Sequence, residues 1–337
     1  MLGVQIVGYG KPFRIGSCPT PTPARGDVCV AVKASGLCGT DLHLRDGRQD
    51  LGSLPRIPGH ESAGEIIEIG EGVTGWSLGQ RVLVTIDVTC GRCVDCLAGQ
   101  TQRCRLLHRL GFERDGGHAE VEVVPAQNLI LLPADTRYED ACILPDATGC
   151  MYHSLVTQGA IGPNQHVLIL GAGGLGIHGI QIARLAGAEV IATSRREHRL
   201  REASRYGALA INPEKQDLSE VVRAQTAGEG LDIVADCVGT VESVAAGLGL
   251  LRPGGKLLVI AYQDREFHVP SLPLFSREKQ IIGCRGTNKR ELRDVLDLVS
   301  RGRLTSVIGA TFPLRDFDKA VEALEKGAVT GRTVVTR

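Results

Sequence analysis

The chain has 337 residues, 43% hydrophobic and 23% charged, with 38 Lys+Arg balanced by 38 Asp+Glu. That length exceeds what one compact core supports, so two domains are expected, and the composition excludes fibrous or disordered classes. Balanced charge gives no basic field for nucleic acid, and no apolar run approaches the roughly 18 residues of a membrane span. Met1 to Lys11 lacks the charged start and longer apolar block of a signal peptide, so a cytoplasmic protein is expected, with neither nucleic-acid nor membrane partners.

The first part of the chain reads as β-rich. Gly3 to Gly8, Asp27 to Ala34, Gly64 to Gly70, Arg81 to Ile86 and His118 to Val124 are short strand-like runs punctuated by Gly and Pro. Short strands interrupted by Cys- and His-bearing loops suggest a partly open barrel. From about Ala141 the pattern changes to alternating strands and helices. Strand-like runs are Val167–Leu170, Glu189–Thr193, Ala208–Asn212, Leu231–Val238 and Lys256–Ala261, each followed by helical sequence. Such alternation builds a parallel sheet covered on both faces. Helices are expected over Arg290–Arg301 and Asp316–Lys326, and a closing strand over Gly331–Arg337.

Gly171-Ala-Gly173-Gly174-Leu175-Gly176 follows the run Val167–Leu170 directly and opens a helix-like segment. This is G-x-G-x-x-G between a strand and a helix, the setting in which it binds a dinucleotide pyrophosphate. Gly171 permits the tight turn, Gly173 leaves room for phosphate, and Gly176 lets helix and strand approach closely. The amides at the helix start, from Gly174, Leu175 and Gly176, then face the phosphate charge.

Cys90-x2-Cys93-x2-Cys96-x7-Cys104 supplies four of the eleven cysteines within fifteen residues. Four thiolates suit a tetrahedral Zn²⁺ with no open position, hence a structural site; an iron–sulfur cluster is the alternative for the same ligands. A second set is dispersed: Cys38 in Ala34-Ser-Gly-Leu-Cys38-Gly-Thr40-Asp41-Leu-His43, and His60 and Glu61 in Gly59-His60-Glu61. Spacing alone does not show that these converge.

Cys38-Gly-Thr40-Asp41-Leu-His43, Gly59-His60-Glu61, the four-cysteine lobe, the glycine loop, Asp236-Cys-Val-Gly239 and Leu251-Arg-Pro-Gly-Gly255 occur in an order and separation that resemble the medium-chain, zinc-dependent alcohol dehydrogenase family along essentially the whole chain. The resemblance implies an α/β fold in which a Rossmann-type doubly wound parallel sheet, residues 150–285, is inserted into a β-rich GroES-like catalytic domain, residues 1–149 and 286–337. It implies a catalytic zinc in a cleft between the domains, held by Cys38, His60 and a third ligand. Aligning Leu144-Pro-Asp146-Ala-Thr-Gly-Cys150-Met-Tyr152 on its Tyr makes Asp146 that ligand, with Cys150 as runner-up. Glu61 would approach the metal as water leaves, and Asp41 would orient His60. Thr40 and His43 would relay the proton, through the cofactor ribose, while hydride passes between an alcohol or carbonyl substrate and the nicotinamide. The resemblance also implies a homodimer or homotetramer joined through the nucleotide domain.

An NAD enzyme usually ends the second strand of its nucleotide domain with an acid that binds the ribose 2′-OH. Here the strand runs into Ser194-Arg195-Arg196. Ser194 stands at the acidic position and two guanidiniums follow, so NADP is favoured over NAD. Two other readings stay open: a family member that has lost catalysis and serves as a binding protein, and a reductase of activated alkenes. Cys38, His60 and the four-cysteine lobe argue against both.

Overall fold

Asp27–Leu37, the longest strand, is rich in Val and Ala and buries Val28, Val30 and Val32 on one face. β-branched residues at period two suit a strand with one buried face. Around it a seven-stranded sheet forms in the order Ile308–Pro313, Arg332–Thr336, Asp27–Leu37, Ser62–Ile69, Arg81–Val84 and Leu129–Leu131, with Val121–Pro125 also paired to Asp27–Leu37. All of these pairings are antiparallel except that of Ile308–Pro313 with Arg332–Thr336. Val28, Val30, Ile66, Val82, Val84 and Val124 make its core, and Trp76 packs against them. Each such fully buried aliphatic side chain contributes about 1.5–3 kcal/mol. A second cluster joins Val4, Leu37, Phe317 and Val335.

This computed structural model describes residues 1–263 and 265–337. They form two compact units. One comprises Met1–Asp146, Asn288–Ser300 and Ser306–Arg337; the other comprises Ala147–Thr287 and Arg301–Thr305. The boundaries expected at 149/150 and 285/286 therefore shift by a few residues. The segment Arg301–Thr305, expected with the barrel, belongs to the nucleotide unit: Gln181 Nε2 donates to Thr305 O at 3.0 Å and Gln181 Oε1 accepts from Thr305 N at 2.9 Å.

The second unit is a parallel six-stranded sheet in the order Leu209–Ile211, Glu189–Thr193, His166–Leu170, Leu231–Asp236, Leu251–Val259 and Gln280–Gly283. Helices Gly176–Leu185, Glu197–Arg205, Leu218–Gln225 and Val241–Leu250 connect its strands. This is the Rossmann-type sheet expected from the alternating pattern. The strand expected from Lys256 begins instead at Leu251, because Gly254 and Gly255 do not end it. They lie where the register shifts between Leu231 and Ile233. Missed in the sequence were the short strands Arg14–Ser17, Asp87–Val88, His108–Arg109, Leu129–Leu131 and Ile308–Pro313. No helix among the described residues is long and apolar enough to cross a membrane.

Candidate active site

The motif that begins at Cys38 folds as the helix Gly39–Arg45. Asp41 serves that fold twice. Its Oδ2 accepts from Cys38 N at 2.9 Å, closing the helix start, and its Oδ1 faces His60 Nδ1 at 3.6 Å. With Nδ1 turned to an acid, His60 presents Nε2 outward, as in metal-binding histidines oriented by a carboxylate. A third partner, His118, was not foreseen. Its Nε2 stands 3.7 Å from Asp41 Oδ2, and its Nδ1 lies 2.9 Å from Ser35 Oγ. Burial alone would raise the Asp41 carboxyl, but the His60 and His118 imidazoles hold it well below the usual carboxylate range.

Asp146 lies in a π-helical turn, Leu144–Thr148, a local irregularity frequent at functional positions. Its Oδ2 stands 3.4 Å from Cys38 Sγ and 3.8 Å from His60 Nε2. Donors held about 2.0–2.3 Å from a tetrahedral metal stand roughly 3.3–3.8 Å apart, so these three atoms fit one zinc and leave a fourth position. Among the described residues, Cys38, His60 and Asp146 form one of two groups whose ligand atoms all lie within 4.8 Å of one another, and Cys150 is not in it.

Two charged groups complete the surroundings. Glu61 is fully buried and Arg332 is 5% exposed. Arg332 Nε donates to Glu61 Oε1 at 3.0 Å, its Nη2 lies 2.8 Å from the same oxygen, and its Nη2 also contacts Asp146 Oδ2. Gly36 makes room for Glu61: a Cβ there would stand 1.7 Å from Glu61 Oε2. Burial pushes the Glu61 carboxyl up to about 7 even with Arg332 beside it. Burial would raise Asp146 likewise, but Arg332 first, and then His60 and Cys38, keep it well below its ordinary value.

Thr40 and His43 share the helix Gly39–Arg45. Thr40 Oγ1 lies 3.6 Å from Cys38 Sγ. His43 is half-buried rather than solvent-facing. Burial, then Arg48, lowers its pKa, so it is neutral at pH 7.

The second group is Cys90, Cys93, Cys96 and Cys104. Cys90 Sγ and Cys96 Sγ stand 3.9 Å apart. Sulfurs about 2.3 Å from one zinc would stand roughly 3.8 Å apart. The amides of Cys96 and Arg105 bring Cys93 down to about 6, and those of Arg92 and Cys93 lower Cys90, which favours thiolate at these two positions. None of the eleven cysteines is in a disulfide.

In the nucleotide unit, Gly171 has φ +91°, which only glycine adopts without strain. A Cβ on Gly176 would stand 2.1 Å from Gly171 O, so the third glycine is required for the helix to approach its strand. Leu175 precedes the helix Gly176–Leu185, and Gly174 O lies 2.8 Å from His178 Nδ1. Gly171 N and Ala172 N donate to Thr193 Oγ1 and Thr193 O, tying the loop to the end of the second strand. There Ser194 Oγ accepts from Arg196 N at 3.1 Å, and Arg195 and Arg196 are exposed. Arg199, which the sequence reading passed over, is half-buried, and its Nη1 would be 3.7 Å from a Cβ on Gly173. The signal for it was present: it lies in the first turn of the helix that Arg196 precedes, three residues on.

The protein belongs to the medium-chain, zinc-dependent alcohol dehydrogenase family. Residues 24–134 match the family profile described as alcohol dehydrogenase GroES-like domain, and residues 174–301 match that of the zinc-binding dehydrogenases. A relative named NAD-dependent alcohol dehydrogenase from Sulfurisphaera tokodaii is 31% identical over 99% of each chain. The alcohol dehydrogenase of Aeropyrum pernix superposes with a TM-score of 0.94 at 31% identity over 100% of both chains. A protein from Sinorhizobium meliloti, described as a zinc-binding dehydrogenase and solved bound to NADP, superposes with a TM-score of 0.88 at 29% identity, covering 100% of this chain and 99% of that one.

Proposed function

We propose that this chain is a zinc-dependent oxidoreductase that moves hydride between a small alcohol, or its carbonyl product, and NADP. The observation that carries this reading is the set Cys38, His60 and Asp146, two buried donors and one partly exposed, spaced for one metal with a position to spare. Zinc bound there would polarise the substrate oxygen, and a nicotinamide cofactor would take or give the hydride. The chain's own residues do the rest. Asp41 fixes His60, and Arg332 neutralises Glu61. Thr40 can donate and accept a proton at one oxygen. His43, held neutral by burial and by Arg48, can take that proton and release it to solvent. A binding protein derived from an enzyme, or a reductase of activated alkenes, has no need of three metal donors beside this pair. Eleven cysteines with no disulfide among them accord with a reducing, cytoplasmic setting.

Thr40→Ala should lower kcat about 10²–10⁴-fold, the usual worth of a positioned proton-transfer group, while zinc content stays unchanged. Near-normal turnover at neutral pH would remove Thr40 from the relay. Because the pKa of His43 is lowered, the limb of the pH–rate profile assigned to it should fall below the ordinary histidine value.

The cofactor choice rests on Ser194. With no carboxylate at that position, nothing repels a 2′-phosphate, and Arg195, Arg196 and Arg199 lie on the adjoining residues. The Sulfurisphaera tokodaii relative is named for NAD and the Sinorhizobium meliloti structure holds NADP, so members of both kinds resemble this chain. A panel of secondary alcohols, polyols and aldehydes assayed with both cofactors should give a kcat/KM at least about tenfold higher with NADP, and Ser194→Asp should reverse the order. A preference for NAD in the unmodified protein would overturn the assignment.

A further inference from the structure

Arg332 reaches the metal donors from the far end of the chain, 271 residues from Glu61 and 186 from Asp146. Its guanidinium holds Glu61 Oε1 through Nε at 3.0 Å and Nη2 at 2.8 Å. The same Nη2 contacts Asp146 Oδ2. That oxygen is also the one lying 3.4 Å from Cys38 Sγ and 3.8 Å from His60 Nε2, the one placed for the metal. An arginine nitrogen and a dication therefore address one carboxylate oxygen from a buried position.

We propose that Arg332 is a resident counter-ion that competes with the catalytic metal for Asp146 and thereby sets how tightly that metal is held. The inference rests on the zinc reading above and goes beyond it by assigning a positioning residue outside the ligand set. Without metal, Arg332 bridges Asp146 and Glu61, two acids that would otherwise face each other with no cation between them. With metal, two cations cannot share Asp146 Oδ2 at full strength. The fork of the guanidinium lets Arg332 release Asp146 and keep Glu61, which is pinned in place against Gly36. Glu61 is then the anchor that draws Arg332 away from the metal, and the metal stays exchangeable.

The test is zinc affinity, measured on the metal-depleted full-length protein by competition with a chromophoric chelator. His60→Ala serves to assign which of two binding classes belongs to the three-donor site. Arg332→Gln should lower the zinc Kd of that site by at least about tenfold, as removal of a close competing charge does. Glu61→Gln should raise it, because Arg332 then has only Asp146 to neutralise. The double variant Glu61→Gln/Arg332→Gln should bind zinc more tightly than Glu61→Gln alone. It replaces the ion pair with two neutral amides of similar shape, so it carries the test if Arg332→Gln does not fold. Unchanged or weaker binding in Arg332→Gln, or equal Kd in Glu61→Gln and the double variant, overturns the competition. If the unmodified protein binds only one zinc and His60→Ala leaves it in place, the zinc reading itself fails, and this inference with it.

Discussion

Asp146→Asn should lower kcat/KM by at least about three orders of magnitude and take the metal count from the proposed two per chain to one. The substitution keeps shape and removes charge. Asp146 is the anionic oxygen donor facing Cys38 Sγ and His60 Nε2, and an amide oxygen is a poor substitute for it as a zinc ligand. It also leaves Arg332 with Glu61 as its one remaining acid in this site. Losing one partner of this partly buried ion pair should also make the variant melt earlier than the parent. Asp146→Cys distinguishes loss of a ligand from general damage, since thiolate is an equally good zinc donor and should restore the second metal. If Asp146→Asn keeps both metals and full activity, the third donor lies elsewhere, and Cys150 becomes the residue to replace.

The second large effect concerns the four-cysteine lobe. Cys93→Ser is expected to cost the other metal and lower the melting temperature by on the order of 10 °C, with turnover of the surviving molecules changed only a few-fold. The reason is packing. The lobe's helix Val94–Leu97 buries no residue, and Leu97 is 76% exposed. With no apolar core, the loop depends on its metal for shape. Burial and the neighbouring thiols push Cys96 up to about 12, so a bare lobe holds that proton and metal binding must release it. Metal retention in a chelator should therefore weaken as pH falls. Limited proteolysis between residues 90 and 104, monitored with and without chelator, reads the same event locally. A lobe that keeps its protease resistance and melting temperature without metal would contradict this account.

How legible the site was depended on how far apart its parts lie. The glycine loop was readable because Gly171 and Gly176 each meet a local demand, a positive φ and a close approach, within six residues. The cysteine lobe was readable because one short loop supplies every donor. Cys38, His60 and Asp146 span more than a hundred residues, and only resemblance to a family connected them before the fold did. Arg332 and His118 carried no local signal. Each is a lone basic residue near an apolar strand, and its meaning comes entirely from the acid it meets across the sheet. The strands were located to within a few residues where alternation was long, as in Asp27–Leu37, and missed where it was short, as in Leu129–Leu131.

The strand Arg332–Thr336 lies between Ile308–Pro313 and Asp27–Leu37, in the interior of a sheet whose other members were nearly all made some two hundred residues earlier. During synthesis, then, the metal-bearing unit waits. Until Arg332–Thr336 is made, this sheet has no partner on that side of Asp27–Leu37. The nucleotide unit, almost continuous from Ala147 to Thr287, has all six of its strands before that moment. The segments of the sheet-bearing unit lie on both sides of the nucleotide unit in the sequence. A nascent chain stalled before Arg332 would therefore expose an unpaired edge of its central sheet to chaperones or to other chains.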